Sequence, residues 1–127
     1  MKRSIDIEYK IQRVLNQHMT AYCRPLPKEY ALPNILVTRV GGTELTDWSG
    51  QGHLDRFTVV LYCRAEDDGT AQETLSKAVA ILKNSSEFRN VTNNTDLGSW
   101  GSDPVRPDLH LFSVTLIVSA SLEEFTL

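Results

Sequence analysis

Two long runs of alternating apolar and polar residues constrain the fold of this 127-residue chain more than any other feature. Residues 54–64 and 109–121 each place every second side chain on the same side, as a strand with one buried face requires. The inward set comprises Phe57, Val59, Leu61, Cys63, His110, Phe112, Val114, Leu116, Val118 and Ala120. With 41% hydrophobic residues overall, the chain has enough apolar side chains for one core.

An amphipathic helix is predicted at the start of the chain, with Ser4 as its N-cap. Its apolar residues recur at three- and four-residue steps and end before Pro25. They are Ile7, Ile11, Val14, Leu15, His18, Met19 and Tyr22. A second helix is expected to open at a capping box formed by Thr70 and Glu73 and to end near residue 84. Its inward stripe is Ala71, Leu75, Ala78, Val79 and Leu82.

Two further strands complete the predicted set. Ile35–Val40 is rich in branched residues and is expected to end at Gly41-Gly42, followed by a loop over residues 43–53. A weaker strand is predicted over Phe88–Thr92. The order α-β-β-α-β-β favours an α+β fold, a mainly antiparallel sheet with two helices packed on one face. We expect a single domain over residues 1–127.

Charge and hydropathy exclude some classes of function. The net charge is −3, which argues against a dedicated nucleic-acid or anionic-membrane binder. No apolar run reaches the length of a membrane span, and the first six residues do not form a secretory signal. Residues 1–64 carry a charge of +3 and residues 65–127 carry −6, a polarity that suits head-to-tail contacts between copies.

Residue patterns typical of catalysis are missing from the sequence. It contains no nucleophile elbow and no phosphate-binding loop. The two cysteines, Cys23 and Cys63, do not have the spacing of zinc ligands, and we expect both to be small buried side chains. Glu66, Asp67 and Asp68 are interpreted as anionic caps of the second helix. We therefore expect no enzymatic activity, no metal and no cofactor. An enzyme using His53, Asp55 and His110 is the less favoured alternative.

Two tryptophans lie in polar segments rich in glycine and serine. Trp48 belongs to the loop 43–53, and Trp100 lies between Gly98-Ser99 and Gly101-Ser102. A tryptophan in such a segment either folds back on its own core or anchors a partner. In a chain without a catalytic set, two such residues favour an assembly protein.

Four segments together resemble one protein family. They are the strand with its diglycine (Pro33–Gly42), the strand Asp55–Tyr62, the helix Ala71–Leu82 and the loop Leu97–Asp108 before the last strand. This pattern resembles the tail terminator, or tail completion, proteins of long-tailed bacteriophages, particularly those of phages that infect Gram-positive and actinobacterial hosts. The resemblance extends over nearly the whole chain.

The resemblance implies a structural virion protein that forms a ring, typically a homohexamer, on the head-proximal end of the tail tube. Its partners would be further copies of itself, the tail tube protein and the head-tail connector. Genomic DNA would pass through the lumen without sequence-specific binding, and the ring would be assembled in the host cytoplasm and stay in the virion. Ring contacts are expected in the long last strand and the loop 43–53, with Arg39, Trp48, Arg56 and Trp100 as candidate interface residues. A head-completion or connector protein and a host interaction module remain alternatives.

Overall fold

The two alternating runs form neighbouring central strands of the sheet in a computed structural model of the chain. The structure describes residues 2–4, 7–46, 53–93, 99–102, 106, 108–120 and 124–126. In chain order the elements are β1 (Lys2–Ser4), α1 (Ile7–Leu15), β2 (Ala21–Cys23), β3 (Asn34–Thr46), β4 (His53–Ala65), α2 (Asp68–Asn84), β5 (Asn90–Asn93), β6 (Ser99–Ser102), β7 (His110–Ala120) and β8 (Glu124–Thr126).

The fold is α+β, with a mixed sheet that is mostly antiparallel. Its strands run in the order β2-β3-β4-β7-β5, and β6 also pairs with β7. Only the β2–β3 pair is parallel among these described strands. β1 and β8 form a separate antiparallel pair. The predicted order α-β-β-α-β-β was incomplete, because it lacks β1, β2, β6 and β8, each of four residues or fewer.

The core lies on one face of the sheet. Alternate residues of β3, β4 and β7 are buried there, and both helices pack against this face and against each other. The sheet contributes Ile35, Val37, Phe57, Val59, Leu61, Cys63, Ala65, Phe112, Val114, Leu116, Val118 and Ala120, and the helices contribute Ile7, Ile11, Val14, Leu15, Ala71, Leu75, Ala78, Val79 and Leu82. The opposite face is half-buried at Leu36, Val60, Tyr62, Leu111 and Ile117. The predicted inward sets of β4 and β7 are thus confirmed, except that His110 is half-buried.

The first helix is shorter than predicted, because it ends at Leu15. Gln12 of the helix and Asn16 just after it hold the next segment: Gln12 Nε2 donates to the Ala21 carbonyl at 3.1 Å, and Asn16 Oδ1 accepts from the Ala21 amide at 2.8 Å. The chain therefore turns and enters β2. His18 is exposed rather than on an apolar stripe. Ser4, the predicted N-cap, lies in β1.

The second helix begins a turn earlier than the predicted capping box. Its N-cap is Asp67, whose carboxylate accepts hydrogen bonds from the Thr70 amide at 2.7 Å and the Thr70 hydroxyl at 2.9 Å. These hydrogen bonds lower the pKa of Asp67 below its ordinary value. The interpretation of this acidic segment as a helix cap is confirmed for Asp67. Neither described helix has the length and hydrophobicity needed to cross a bilayer.

The diglycine does not end the third strand. β3 continues through Gly41-Gly42 to Thr46, and its pairing with β4 shifts by one residue between Arg39 and Gly41. A β-bulge accommodates the extra residue, so the strand bends and pairing resumes. Residues 43–46 and 53, predicted as loop, therefore belong to strands.

The last long strand lies inside the sheet rather than at its border. β7 pairs with β4 from His110 to Ala120, and its other side pairs with β6 and then with β5. Val114, Thr115 and Ala120 have no partner on that second side among the described strands. The strand is therefore paired on both sides over most of its length, and the expectation of ring contacts along it stays a prediction.

Unequal burial of the two sheet faces gives a stability prediction. Leu116 is fully buried, and its neighbour Ile117 lies on the opposite, half-buried face. We expect Leu116→Ala to lower the free energy of unfolding by about 2–5 kcal/mol, because it leaves a cavity. Ile117→Ala should cost roughly 1 kcal/mol. Urea unfolding at low protein concentration measures both, and equal losses would contradict the one-sided core.

A second prediction concerns the helix cap. Asp67→Ala should destabilise the protein, whereas Asp67→Asn should retain most of the stability because asparagine caps equally well. Since the folded pKa of Asp67 is lowered, its stabilising effect is present above the unfolded value of about 3.9 and is lost as the pH falls through the folded value. Thermal unfolding between pH 2 and 6 should therefore show a steeper acid loss for the unmodified chain than for Asp67→Asn. Parallel curves would contradict the cap.

Candidate assembly interface

The outer border of the sheet along β3 is covered over only part of its length. β2 pairs with it from Ile35 to Val37, and the Ile35 amide donates to the Thr20 carbonyl at 3.0 Å. From Thr38 to Thr46 no described strand pairs with this outer side, although the inner side pairs with β4. A strand border of this kind presents backbone groups that another chain can pair with.

Glu8 of α1 binds one backbone amide of that border, the amide of Arg39. Its Oε1 accepts the Arg39 amide hydrogen at 2.7 Å and also accepts from Arg24 Nη2 at 2.7 Å. The Glu8 side chain is only 13% exposed, whereas that of Arg24 is 54% exposed. A carboxylate thus takes the place of a pairing strand at Arg39. The part of the border without a pairing strand continues from Val40.

Two exposed hydrophobic side chains follow the two contacting residues in the sequence. Tyr9 follows Glu8 and is 53% exposed, and Val40 follows Arg39 and is 57% exposed. They are the large hydrophobic side chains left exposed in the part of the chain whose side chains the structure describes. Exposed apolar groups beside an unpaired strand are typical of an interaction surface. We call Val40–Thr46 the open edge.

Arg39 is held against the covered face. Its guanidinium lies 4.9 Å from the centre of the Phe57 ring, a cation–π contact, and Phe57 itself is buried. Arg39 therefore presents an oriented positive charge at the start of the open edge.

The opposite border of the sheet is built differently. It consists of two short strands, β5 and β6, which pair with different parts of β7. No described strand pairs with their outer sides. The sheet thus has two unlike borders, one a long bulged strand and one a pair of four-residue strands.

The structure places three of the four predicted interface residues on different parts of the sheet. Arg39 lies on the covered face of β3, whereas Arg56 is exposed on the opposite face of β4. Trp100 lies on β6 opposite Phe112, on the far side of β7. Trp48 lies outside the described residues. The described positions do not form one cluster, and their roles stay predictions.

The residues of the enzyme alternative lie far apart. His53 and Asp55 are at the start of β4, whereas His110 pairs with Ala65 at its end. Ten residues of extended strand separate Asp55 from Ala65, about 33 Å at ~3.3 Å per residue. His110 Nδ1 instead pairs with Asp68. In the described part of the chain no three histidine, cysteine or acidic side chains form a potential metal site.

An open groove of about 570 Å³ lies between the carboxyl ends of the two helices. Val14 and Ile81 form apolar parts of it, and His18 and Lys77 are among its polar residues. Ser85 Oγ, also in the groove, accepts the Glu87 amide at 3.2 Å and so serves the local turn.

The cysteines are explained by packing. Cys63 is buried in the core, and burial raises the pKa of its thiol to about 12. This confirms the prediction of a small buried side chain for Cys63. Cys23 is half-buried, and its thiol donates to Gln12 Oε1 at 3.3 Å.

In comparisons with known proteins, no family model matches the chain, and no curated protein matches it. A functional proposal therefore depends on the residues and the fold.

Sequence reasoning missed three residues of the candidate interface: Glu8, Tyr9 and Val40. Tyr9 lies off the apolar stripe of the first helix, which is a usable signal for an exposed aromatic. Val40 was interpreted as the end of a strand because two glycines follow it. The role of Glu8 depends on a contact 31 residues away in the sequence, and no local pattern indicates it.

The Glu8 contact leads to a third prediction. Glu8→Ala should lower the free energy of unfolding by about 1–3 kcal/mol, because it removes the charged acceptor, itself only 13% exposed, of the Arg39 amide hydrogen bond. Arg24→Ala should cost roughly 0–1 kcal/mol, since it removes only an exposed ion-pair partner. Guanidinium unfolding of both variants measures the difference. A loss for Arg24→Ala as large as for Glu8→Ala would contradict this role of Glu8.

Proposed function

We propose that this protein is a tail terminator of a long-tailed bacteriophage, a structural virion protein without enzymatic activity. In this proposal its copies form a ring, a homohexamer, on the head-proximal end of the tail tube. The ring ends tube polymerisation and joins the tail to the head connector. Genomic DNA passes through the lumen.

The observation that supports the ring is the pair of unlike open borders. A closed ring needs head-to-tail contacts in which two different patches of each subunit meet. The open edge at one border and β5 with β6 at the other are two such patches, and sheet borders can join through backbone hydrogen bonds. The charge of +3 in residues 1–64 and −6 in residues 65–127 agrees with this arrangement, since β3 and β5 belong to different halves.

The proposal of a tail terminator in particular rests on the resemblance of residues 33–42, 55–62, 71–82 and 97–108 to that family. An α+β subunit is compatible with it. The nearest alternative is a head-completion or connector protein at the same joint, which would also form a ring.

A capping experiment tests the proposal. Tubes polymerised from the tube protein of the same genome should stop growing at one end when this protein is added, with a ring of six 14.3 kDa copies, about 86 kDa, visible there by electron microscopy. Tubes that elongate equally with and without the protein would contradict the proposal. Co-purification with tailless heads instead of headless tails would favour the connector alternative.

The two tryptophans provide a separate prediction. If they anchor ring contacts, Trp48→Ala and Trp100→Ala should each reduce the fraction of capped tubes at least several-fold, because a lost aromatic anchor weakens an interface. Lys83→Ala, an exposed change on α2, is the matched control and should leave capping unchanged. Normal capping by both tryptophan variants would show that neither tryptophan is an anchor.

A further inference from the structure

The outer side of β3 carries a row of backbone amides that point away from β4. Amides of every second residue in a strand point to the same side, so those of Ile35 and Arg39 both belong to this row. The Ile35 amide donates to the Thr20 carbonyl at 3.0 Å, and the Arg39 amide donates to Glu8 Oε1 at 2.7 Å. Pairing with β4 is regular between Ile35 and Arg39, because the register shift comes after Arg39.

Glu8 takes a place in this row that a longer β2 would fill. β2 pairs in parallel with β3 and ends at Cys23. At the offset of the Thr20–Ile35 hydrogen bond, the acceptor for the Arg39 amide would be the carbonyl of Arg24, the first residue after β2. The carboxylate of Glu8 binds that amide instead.

A second donor fixes the carboxylate in this place. Glu8 Oε1 also accepts from Arg24 Nη2 at 2.7 Å, and the Glu8 side chain is only 13% exposed. Hydrogen bonds to an ionised acceptor are stronger than those between neutral groups. A strand that reached Arg39 would therefore have to displace a charged acceptor and would supply a neutral carbonyl in exchange.

Beyond Arg39 the border offers backbone and apolar surface to another strand. From Val40 to Thr46 no described strand pairs with the outer side of β3. Val40 and Tyr9, which follow Arg39 and Glu8 in the sequence, are 57% and 53% exposed. Unpaired backbone beside exposed apolar groups favours association with a further strand. Glu8 thus lies where the protected and the unprotected parts of the border meet.

We infer that Glu8 guards this border in the free chain, and that a strand of a second copy replaces its carboxylate at the Arg39 amide when copies associate. The choice of a second copy rests on the proposed function, in which subunits meet through unlike borders of the sheet. In the free chain the guard ends any pairing along β3 at Val40. In the assembly the Arg39 amide binds a backbone carbonyl of the neighbour, and Glu8 keeps its contact with Arg24. Glu8 therefore sets the concentration at which copies associate.

Removing the carboxylate tests the inference on the full chain. Glu8→Ala leaves the Arg39 amide without this acceptor, and pairing with a second copy supplies a new one, so the dissociation constant of the associated form should fall about tenfold or more. Glu8→Gln keeps an oxygen at the same place and should associate nearly like the unmodified chain. Glu73→Ala removes an exposed carboxylate from α2 and is the matched control for the change of charge. Sedimentation over a range of concentrations measures all four chains.

Hydrogen exchange at the Arg39 amide separates guarding from a loss of stability. Exchange measured by NMR should be slow in the unmodified chain, fast in the dilute Glu8→Ala chain and slow again in its associated form. Circular dichroism of the dilute variant shows that it is folded. The inference is overturned if Glu8→Ala associates no more readily than the unmodified chain, or if its associated form leaves this amide in fast exchange.

The outcome for the ring is distinguishable. Tubes that are capped by the unmodified chain, combined with a Glu8→Ala chain that associates like the unmodified one, would overturn the guard and leave the proposed function standing. Stronger association of Glu8→Ala with a protected Arg39 amide, combined with tubes that are never capped, would support the guard and contradict the proposed function.

Discussion

The strands β4 and β7 determine the rest of the architecture, because they bury only one of their two faces. Eleven consecutive residue pairs join them, and every second residue goes into the core beneath α1 and α2. Two helices are enough to cover one side of the sheet. The other face and the outer strands are consequently left for solvent or for partners, and the candidate interface follows from that arrangement.

The bulge in β3 is the local feature that shapes the open edge. It places one extra residue between Arg39 and Gly41 and lets the pairing with β4 resume. With it, β3 extends to Thr46, Val40 is pushed into solvent, and Arg39 stays on the covered face against Phe57. A single extra residue is thus compatible with a strand that runs on past the diglycine as the open edge.

Polar contacts determine where the elements begin and end. Gln12 and Asn16 bind Ala21 and turn the chain out of α1, and Asp67 caps α2. Glu8 does the same for a strand border, since its carboxylate takes the place of a pairing strand at Arg39. Native proteins protect strand borders in this way, and the length left unprotected is the surface that a partner can use.

The sequence by itself determined the α+β class, the two central strands with their buried residues, and the existence of both helices. These depend on periodicities of two and 3.6 residues, which each segment carries locally. Only the tertiary structure decided that β3 continues through Gly41-Gly42, that the last long strand lies inside the sheet, and that Glu8 meets Arg39. Each of these depends on a partner that is distant in the sequence. The pairing of a strand is set by the strands and side chains that lie next to it in the fold, and no local pattern carries that information. The candidate interface residues Tyr9 and Val40 belong to this second group, since a side chain's exposure is decided by what packs beside it.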